Sequence, residues 1–200
     1  AFKNPKLVLI SSVLLKTLPD REFNSGIAEV IKYGLIFNKK IFNIFDKNYK
    51  LVLKRNQRVV EELIHESVKT KAKIVTEDEK ELGIRAILNF GHTYGHAIEA
   101  KNNYKNILHG EAIAVGMRMA SKMSLLEGHL NEKDYNKIIN VFNTLGFPEN
   151  KSNNYSDLKK FIMNDKKVKS GNINLILLKG IGRSFQTQKF NIENFKKSFS

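Results

Sequence analysis

The chain is organised around two short segments, ELGIRAILNFGHTYGHAIE at residues 81–99 and HGEAIAVGM at residues 109–117. Together they contain three of the five histidines, His92, His96 and His109. His92 and His96 are four residues apart, so in a helix both rings leave the same face, one turn from each other. This spacing suits two ligands of one metal ion, or one ligand with an acid–base group beside it.

The first segment also carries a polar stripe where a buried helix face is predicted. Arg85, Asn89, His92 and His96 recur at helical spacing among apolar neighbours. Leaving such groups buried and unpaired costs roughly 1–3 kcal/mol each, so they need partners or a ligand. A helix with a solvated polar face is the alternative interpretation. Several glycines disfavour it, because each costs a helix interior about 1 kcal/mol relative to alanine. They are Gly83, Gly91, Gly95 and Gly110.

The composition predicts one mainly helical domain. Of the 200 residues 42% are hydrophobic, enough for a core, while three prolines and twelve glycines favour helices over a sandwich or barrel. The chain has no cysteine, so a metal would be held by histidine and carboxylate. The sequence contains no run of about 18 apolar residues, so no membrane span is predicted, and no signal peptide is recognised at its start. We therefore expect a cytoplasmic enzyme with no membrane partner.

The formal net charge of +14 raises the question of nucleic-acid binding. The lysines are spread along the whole chain, and no basic stripe with interleaved aromatic residues occurs. We therefore expect no nucleic-acid partner and a small anionic substrate instead, with a basic helical binding module as the alternative.

Hydrophobic periodicity and turn residues predict the order of the elements. A helix is expected from a cap at Asn24 or Ser25 to residue 37, and a strand at residues 7–11. Further helices are predicted at 39–49, 51–73, 112–128, 132–145 and 155–163, with strands at 172–178 and 184–190.

Two motifs resemble those of the 3-dehydroquinate synthase family, in the sugar-phosphate cyclase superfamily. LNFGHTYGHAIE (residues 88–99) followed by HGEA (109–112) resembles its signature, and GIAEVIKYG (26–34) matches a second motif. The resemblance covers the chain nearly end to end and implies a mainly α, multi-helix C-terminal domain of the dehydroquinate synthase-like fold, spanning residues 1–200, with a small β-hairpin near the C-terminus. The family's NAD-binding domain is expected to be absent from this chain, since residues 1–5 resemble the junction that follows it and no Gly-x-Gly-x-x-Gly motif occurs.

The resemblance and the spacing imply different metal ligands. Spacing alone selects His92, His96 and His109. The resemblance implies Glu29, His92 and His109, with His96 facing the substrate as a proton-transfer or phosphate-contacting group. A metal hydrolase with three histidine ligands is an alternative, although the sequence lacks the His-Glu-x-x-His order of that class.

The resemblance also implies a substrate site. Its residues are Lys32, Lys71, Glu81, Arg85, Asn89, His96 and one of Lys166 and Lys167, the last at the substrate phosphate. The pattern alone suggests simpler roles: Glu29 and Lys32 as a surface ion pair, Lys71 as a cation near a helix end, and Glu81 paired with Arg85 at i, i+4.

The implied reaction converts 3-deoxy-arabino-heptulosonate 7-phosphate into 3-dehydroquinate and phosphate, in the shikimate pathway of aromatic amino-acid biosynthesis. It implies Zn²⁺, with Co²⁺ as an alternative, and NAD⁺ held mainly by the absent domain, in a lyase that is a homodimer when whole. This part alone is expected to be inactive. Another sugar-phosphate cyclase, such as 2-deoxy-scyllo-inosose or epi-valiolone synthase, is the alternative within the superfamily.

Overall fold

The computed structural model of the chain describes residues 6–81, 83–151, 153–164 and 173–200. Lys166 and Lys167 lie outside the described residues, as do residues 1–5. The described parts are mainly helical with one small antiparallel hairpin near the C-terminus, which confirms the predicted class. The helices are α1 (Asp20–Ile36), α2 (Lys39–Leu53), α3 (Gln57–Glu77), α4 (His92–Lys101), α5 (His109–Leu126), α6 (Glu132–Thr144), α7 (Tyr155–Met163) and α8 (Ile192–Lys197), with 3-10 turns at Ser12–Lys16 and Ile84–Asn89 and strands β1 (Leu175–Gly180) and β2 (Arg183–Thr187).

Helix α5 is the centre of the core. Every residue from 112 to 121 is buried, so this helix is covered on all sides by α1, α4, α6 and the hairpin. β1 pairs with β2 from Leu175 opposite Thr187 to Leu178 opposite Ser184, and residues 175–178 are all buried. A helix that is apolar all round is stable only where neighbours surround it.

Small residues allow α4 and α5 to approach until their backbones touch. A Cβ added at Gly116 would lie 2.1 Å from the carbonyl oxygen of Gly91. Gly91 itself has φ of 80°, a left-handed conformation that separates the preceding 3-10 turn from α4. The continuous helix predicted from Arg85 to His96 is therefore wrong, because the chain turns at Gly91.

Other element boundaries also differ from the predictions. α1 begins at Asp20, directly after Pro19, and not at Asn24 or Ser25. The Ser25 hydroxyl caps no helix and accepts a hydrogen bond from the distant Gly110 N. The single helix predicted at 51–73 is broken at Arg55, whose φ is 53°, and Asn56 caps α3 by accepting from Val59 N.

The predicted strand at residues 7–11 is absent from the structure. Leu7, Val8, Leu9 and Ile10 form no regular element and are 80, 64, 89 and 49% exposed. By contrast, α7 begins and ends where the periodicity predicts. None of the described helices has both the length and the apolar character that crossing a bilayer requires.

Candidate metal centre

Three side chains from distant parts of the sequence converge on one point. Glu29 in α1, His92 at the start of α4 and His109 at the start of α5 each offer one ligand atom, all within 4.8 Å of one another. Glu29 Oε1 lies 3.8 Å from Nε2 of His92 and 3.8 Å from Nε2 of His109. Ligand atoms of a tetrahedral zinc ion are about 3.3–3.6 Å apart, given ligand distances of about 2.0–2.2 Å. The two separations from Glu29 need to shorten by only a few tenths of an ångström to match.

One oxygen of the Glu29 carboxylate accepts a hydrogen bond, and the other is buried without a hydrogen-bond partner among the described residues. Oε2 accepts a hydrogen bond from Lys32 Nζ at 2.6 Å. Oε1 is buried and has no hydrogen-bond partner among the described residues. A buried polar atom without a partner costs about 1–3 kcal/mol, and more when it is charged. A cation between this oxygen and the two imidazole nitrogens would remove that cost, so the residues fit a divalent ion bound by nitrogen and oxygen.

The two histidines are oriented by partners behind them. His92 Nδ1 lies 3.1 Å from the carbonyl oxygen of Phe90, and His109 Nδ1 lies 3.0 Å from Glu99 Oε1. Carbonyl and carboxylate oxygens accept hydrogen bonds, so these partners assign the proton to Nδ1 in each neutral ring. Each Nε2 then directs its lone pair toward Glu29. The same arrangement occurs in metal sites where the second ring nitrogen of each histidine donates a hydrogen bond to a carboxylate or a backbone carbonyl.

His96 lies beside this group without belonging to it. Its ring centroid is 5.2 Å from that of His92 and 6.3 Å from that of His109. Within the described residues, the atoms that converge are those of Glu29, His92 and His109. Spacing alone selects His96 in place of Glu29. The fold instead brings the ligand atoms of Glu29, His92 and His109 close together.

Contacts between α1 and the start of α5 fix Glu29 opposite His109. Arg21 donates from Nε and Nη2 to the two oxygens of Glu111, at 2.6 and 2.7 Å. This hydrogen bonding lowers the pKa of Glu111, and the Glu111 carboxylate also accepts from Leu108 N at 2.9 Å. Four residues along α1 from Arg21, Ser25 Oγ accepts from Gly110 N at 3.0 Å. The two helices meet so closely that only glycine fits at position 110, where a Cβ would lie 1.9 Å from the Ser25 carbonyl oxygen.

Lys32 places positive charge next to the carboxylate, and Lys71 lies close enough to Lys32 to act on its charge. Lys32 is only 3% exposed, so the surface ion pair that the pattern alone suggests is wrong for this residue. Burial lowers the pKa of Lys32, the Glu29 carboxylate opposes that shift, and the charge of Lys71 adds to it. Lys71 is exposed in α3. Since α3 continues to Glu77, Lys71 does not lie in the last turn, and its interpretation as a helix-end cation is also wrong.

The segment before α4 holds the remaining predicted substrate residues in a different arrangement from the one that periodicity predicts. Asn89 Nδ2 donates to Glu81 Oε1 at 2.8 Å, whereas the Arg85 guanidinium donates to the carbonyl oxygen of Glu79. Glu81 has φ of 56°, so the chain is not helical there. The predicted Glu81–Arg85 helical pair is therefore wrong, and Glu81 holds Asn89.

Sequence reasoning missed the residues that support the metal group. The sequence predicts no role for Glu99, Arg21 and Glu111, and it predicts Ser25 only as a helix cap. These four residues make the contacts that position His109. One signal was available for Glu99, which follows His92 by seven residues and His96 by three and so lies on their face of α4. The contacts of Arg21 and Ser25 span 85 to 90 residues and leave no local pattern.

Comparison with known proteins matches the chain to one family model. Residues 26–168 match the model of the family described as 3-dehydroquinate synthase C-terminal. The chain is 44% identical over 182 residues to the 3-dehydroquinate synthase of Dictyoglomus thermophilum, a match that covers 91% of this chain and 51% of that protein. It is 44% identical over 194 residues to that of Vesicomyosocius okutanii, covering 96% and 54%. The chain thus spans about half the length of the curated relatives that it matches.

Solved structures show the same fold. A 2-epi-5-epi-valiolone synthase of Streptomyces hygroscopicus, with NAD⁺ and Zn²⁺ bound, matches with a TM-score of 0.85 at 20% identity, over 94% of this chain and 53% of that one. A 2-deoxy-scyllo-inosose synthase complexed with carbaglucose-6-phosphate, NAD⁺ and Co²⁺ matches with a TM-score of 0.78 at 27% identity, over 94% and 54%. The predicted dehydroquinate synthase-like fold is confirmed.

Proposed function

The chain belongs to the 3-dehydroquinate synthase C-terminal family, and on that premise we propose that it is the metal- and substrate-binding part of a 3-dehydroquinate synthase. The enzyme converts 3-deoxy-arabino-heptulosonate 7-phosphate into 3-dehydroquinate and phosphate, a lyase reaction of the shikimate pathway. One observation carries the proposal. It is the convergence of two imidazole nitrogens on a buried carboxylate oxygen that has no other partner among the described residues.

The proposed ligands are Glu29, His92 and His109, for Zn²⁺ with Co²⁺ as the alternative ion. When bound, the ion supplies a Lewis acid for a substrate hydroxyl, and NAD⁺ supplies the transient hydride acceptor. The nucleotide is proposed to be held mainly by a separate domain, with residues 1–200 forming the metal-binding one. The whole enzyme is proposed to be cytoplasmic and a homodimer.

The chain's own residues are proposed to bind and orient the anionic substrate. Lys32 holds one oxygen of Glu29 and leaves the other directed at the two histidines. Its charge and that of Lys71 attract the substrate carboxylate or phosphate. Arg85 suits bidentate binding of one of these groups. The net charge of +14 favours the approach of such a substrate over long range.

The other predicted substrate residues are proposed to make hydrogen bonds. Glu81 fixes the amide of Asn89, which turns toward a substrate hydroxyl or the phosphate. His96, one turn along α4 from His92, contacts the substrate and moves a proton. Lys166 or Lys167, outside the described residues, is proposed for the phosphate.

A related cyclase reaction is the second candidate, favoured by the fold shared with epi-valiolone and inosose synthases. An assay that measures phosphate release from different sugar phosphates separates the two. The chain is mixed with the separately purified nucleotide-binding domain of the Dictyoglomus relative and NAD⁺, and each substrate is offered in turn. Release from the heptulosonate phosphate alone supports the proposal, whereas release only from a hexose or heptose phosphate contradicts it.

Metal analysis tests the ligand set directly. We expect one zinc or cobalt ion per chain after reconstitution and dialysis, and its loss in Glu29→Gln, His92→Ala and His109→Ala. His65→Ala is the matched control, because His65 is exposed in α3. Retention of the ion by all three variants would refute the proposed centre.

A further inference from the structure

We infer that Glu99 is a positioning residue for His109, fixing the tautomer and the direction of its ring. The inference deepens the proposed function and rests on it only for the metal. Glu99 Oε1 lies 3.0 Å from His109 Nδ1 and is the partner of that nitrogen on the side away from Glu29. The contact joins the C-terminal half of α4 to the first residue of α5.

Burial makes this contact specific. The side chain of Glu99 is 12% exposed, whereas that of His109 is 49% exposed. A half-exposed imidazole at a helix terminus has room to rotate into water, so its direction must be set by a bonded neighbour. An ionised carboxylate only accepts hydrogen bonds, so it favours the tautomer of His109 that carries its proton on Nδ1. In this tautomer the lone pair of Nε2 is available to coordinate a metal ion. The nearly buried Glu99 side chain is held in place by the surrounding core and supplies that fixed point.

The two histidines are thus held differently. His92 is buried and its Nδ1 faces the uncharged carbonyl of Phe90. His109 is more exposed and its Nδ1 faces a carboxylate. A carboxylate behind a metal-binding imidazole increases the basicity of the ligand, and loss of such a partner typically weakens metal affinity 10–100-fold. We therefore expect the ring orientation and the metal affinity of His109 to depend on Glu99.

The tautomer can be observed without any metal. In the metal-free, ¹⁵N-histidine-labelled chain at pH 8.5, long-range ¹H–¹⁵N spectra distinguish Nδ1–H from Nε2–H, and His109→Ala assigns the signal. We expect Nδ1–H at His109 in the unaltered chain and a shift toward Nε2–H in Glu99→Gln. Glu62→Gln is the matched control, because Glu62 pairs with Lys40 on the exposed faces of α2 and α3.

Metal affinity is the second readout, measured by competition with a chromophoric chelator for Zn²⁺ and Co²⁺. We expect a 10–100-fold weaker affinity in Glu99→Gln, an altered visible spectrum of the Co²⁺ form and an unchanged far-ultraviolet circular dichroism spectrum. Glu99→Asp retains the charge at shorter reach and should retain the Nδ1–H form in part. It also serves if the glutamine variant does not fold.

The outcomes separate this inference from the proposed function. A tautomer shift in Glu99→Gln in a chain that binds no metal would support the positioning role while contradicting the metal centre. Tight metal binding with the same affinity and tautomer in Glu99→Gln would overturn the positioning role and leave the metal centre standing. An Nε2–H signal at His109 in the unaltered chain would also overturn it.

Discussion

Replacing Gly110 with alanine should disable the metal centre without touching any ligand. The added Cβ would lie 1.9 Å from the Ser25 carbonyl oxygen and 2.6 Å from its carbonyl carbon, both backbone atoms that cannot rotate away. Real Cβ contacts essentially never fall below 3.0 Å, so the start of α5 must move from α1 by about 1.1 Å. His109 precedes Gly110 directly and moves with it.

The displacement can be compared with what one ion can span. If it falls along the line between the ligands, the Glu29–His109 separation grows from 3.8 Å to about 4.9 Å. Ligands at about 2.0–2.2 Å cannot reach one ion when they are more than about 4.4 Å apart. We therefore expect at least a tenfold loss of Zn²⁺ affinity, equivalent to about 1.4 kcal/mol. Overpacking should also reduce the free energy of unfolding by about 1–3 kcal/mol.

Zinc competition and denaturant unfolding measure the two effects. Gly26→Ala is the matched control, because it makes the same chemical change one residue from Ser25, in α1, where an added Cβ meets nothing within 4 Å. That variant should be neutral or more stable by up to about 1 kcal/mol. If Gly110→Ala bound zinc like the unaltered chain at unchanged stability, the close contact between α1 and α5 would not control the site.

Three further perturbations test the structure around the site. Arg21 lowers the pKa of Glu111 in the folded chain. The unaltered chain should therefore be more stable than Glu111→Gln at pH values above the ordinary glutamate pKa, and this difference should shrink as the pH falls through the lowered pKa of the folded state. Denaturant unfolding at several pH values measures the difference. Asn56→Ala removes the cap of α3 and should cost about 1 kcal/mol in denaturant unfolding. Gly116→Ala would put a Cβ 2.1 Å from the Gly91 carbonyl oxygen and should cost at least about 1–3 kcal/mol, with an unchanged melting temperature as the contrary result.

Periodicity predicts the helices well where their ends are set locally. α7 agrees at both ends because Asn154 caps it and its apolar stripe is uninterrupted. α6 agrees within one residue for the same reason, with Asn131 as its cap. Boundaries set by distant contacts are not predictable in this way. Ser25 has the character of a cap, but its hydroxyl is engaged by Gly110, 85 residues away.

The candidate site was predicted partly by spacing and partly by resemblance. Spacing identifies His92 and His96 as neighbours, and their rings are indeed 5.2 Å apart. It cannot bring in Glu29, which lies 63 residues earlier and reaches the histidines only because α1 packs on α5. The family resemblance supplied that residue. Neither approach predicted the break at Gly91. The sequence alone does not distinguish a glycine in the left-handed conformation between two helical segments from a glycine inside one continuous helix.

The touching backbones of Gly91 and Gly116 also bear on how the proposed ion would be exchanged. A side chain at either position would collide with the backbone of the other helix, so the close approach of α4 and α5 depends on both glycines. Since this contact uses no atom of Glu29, His92 or His109, we expect a chelator to remove a bound ion without separating the two helices.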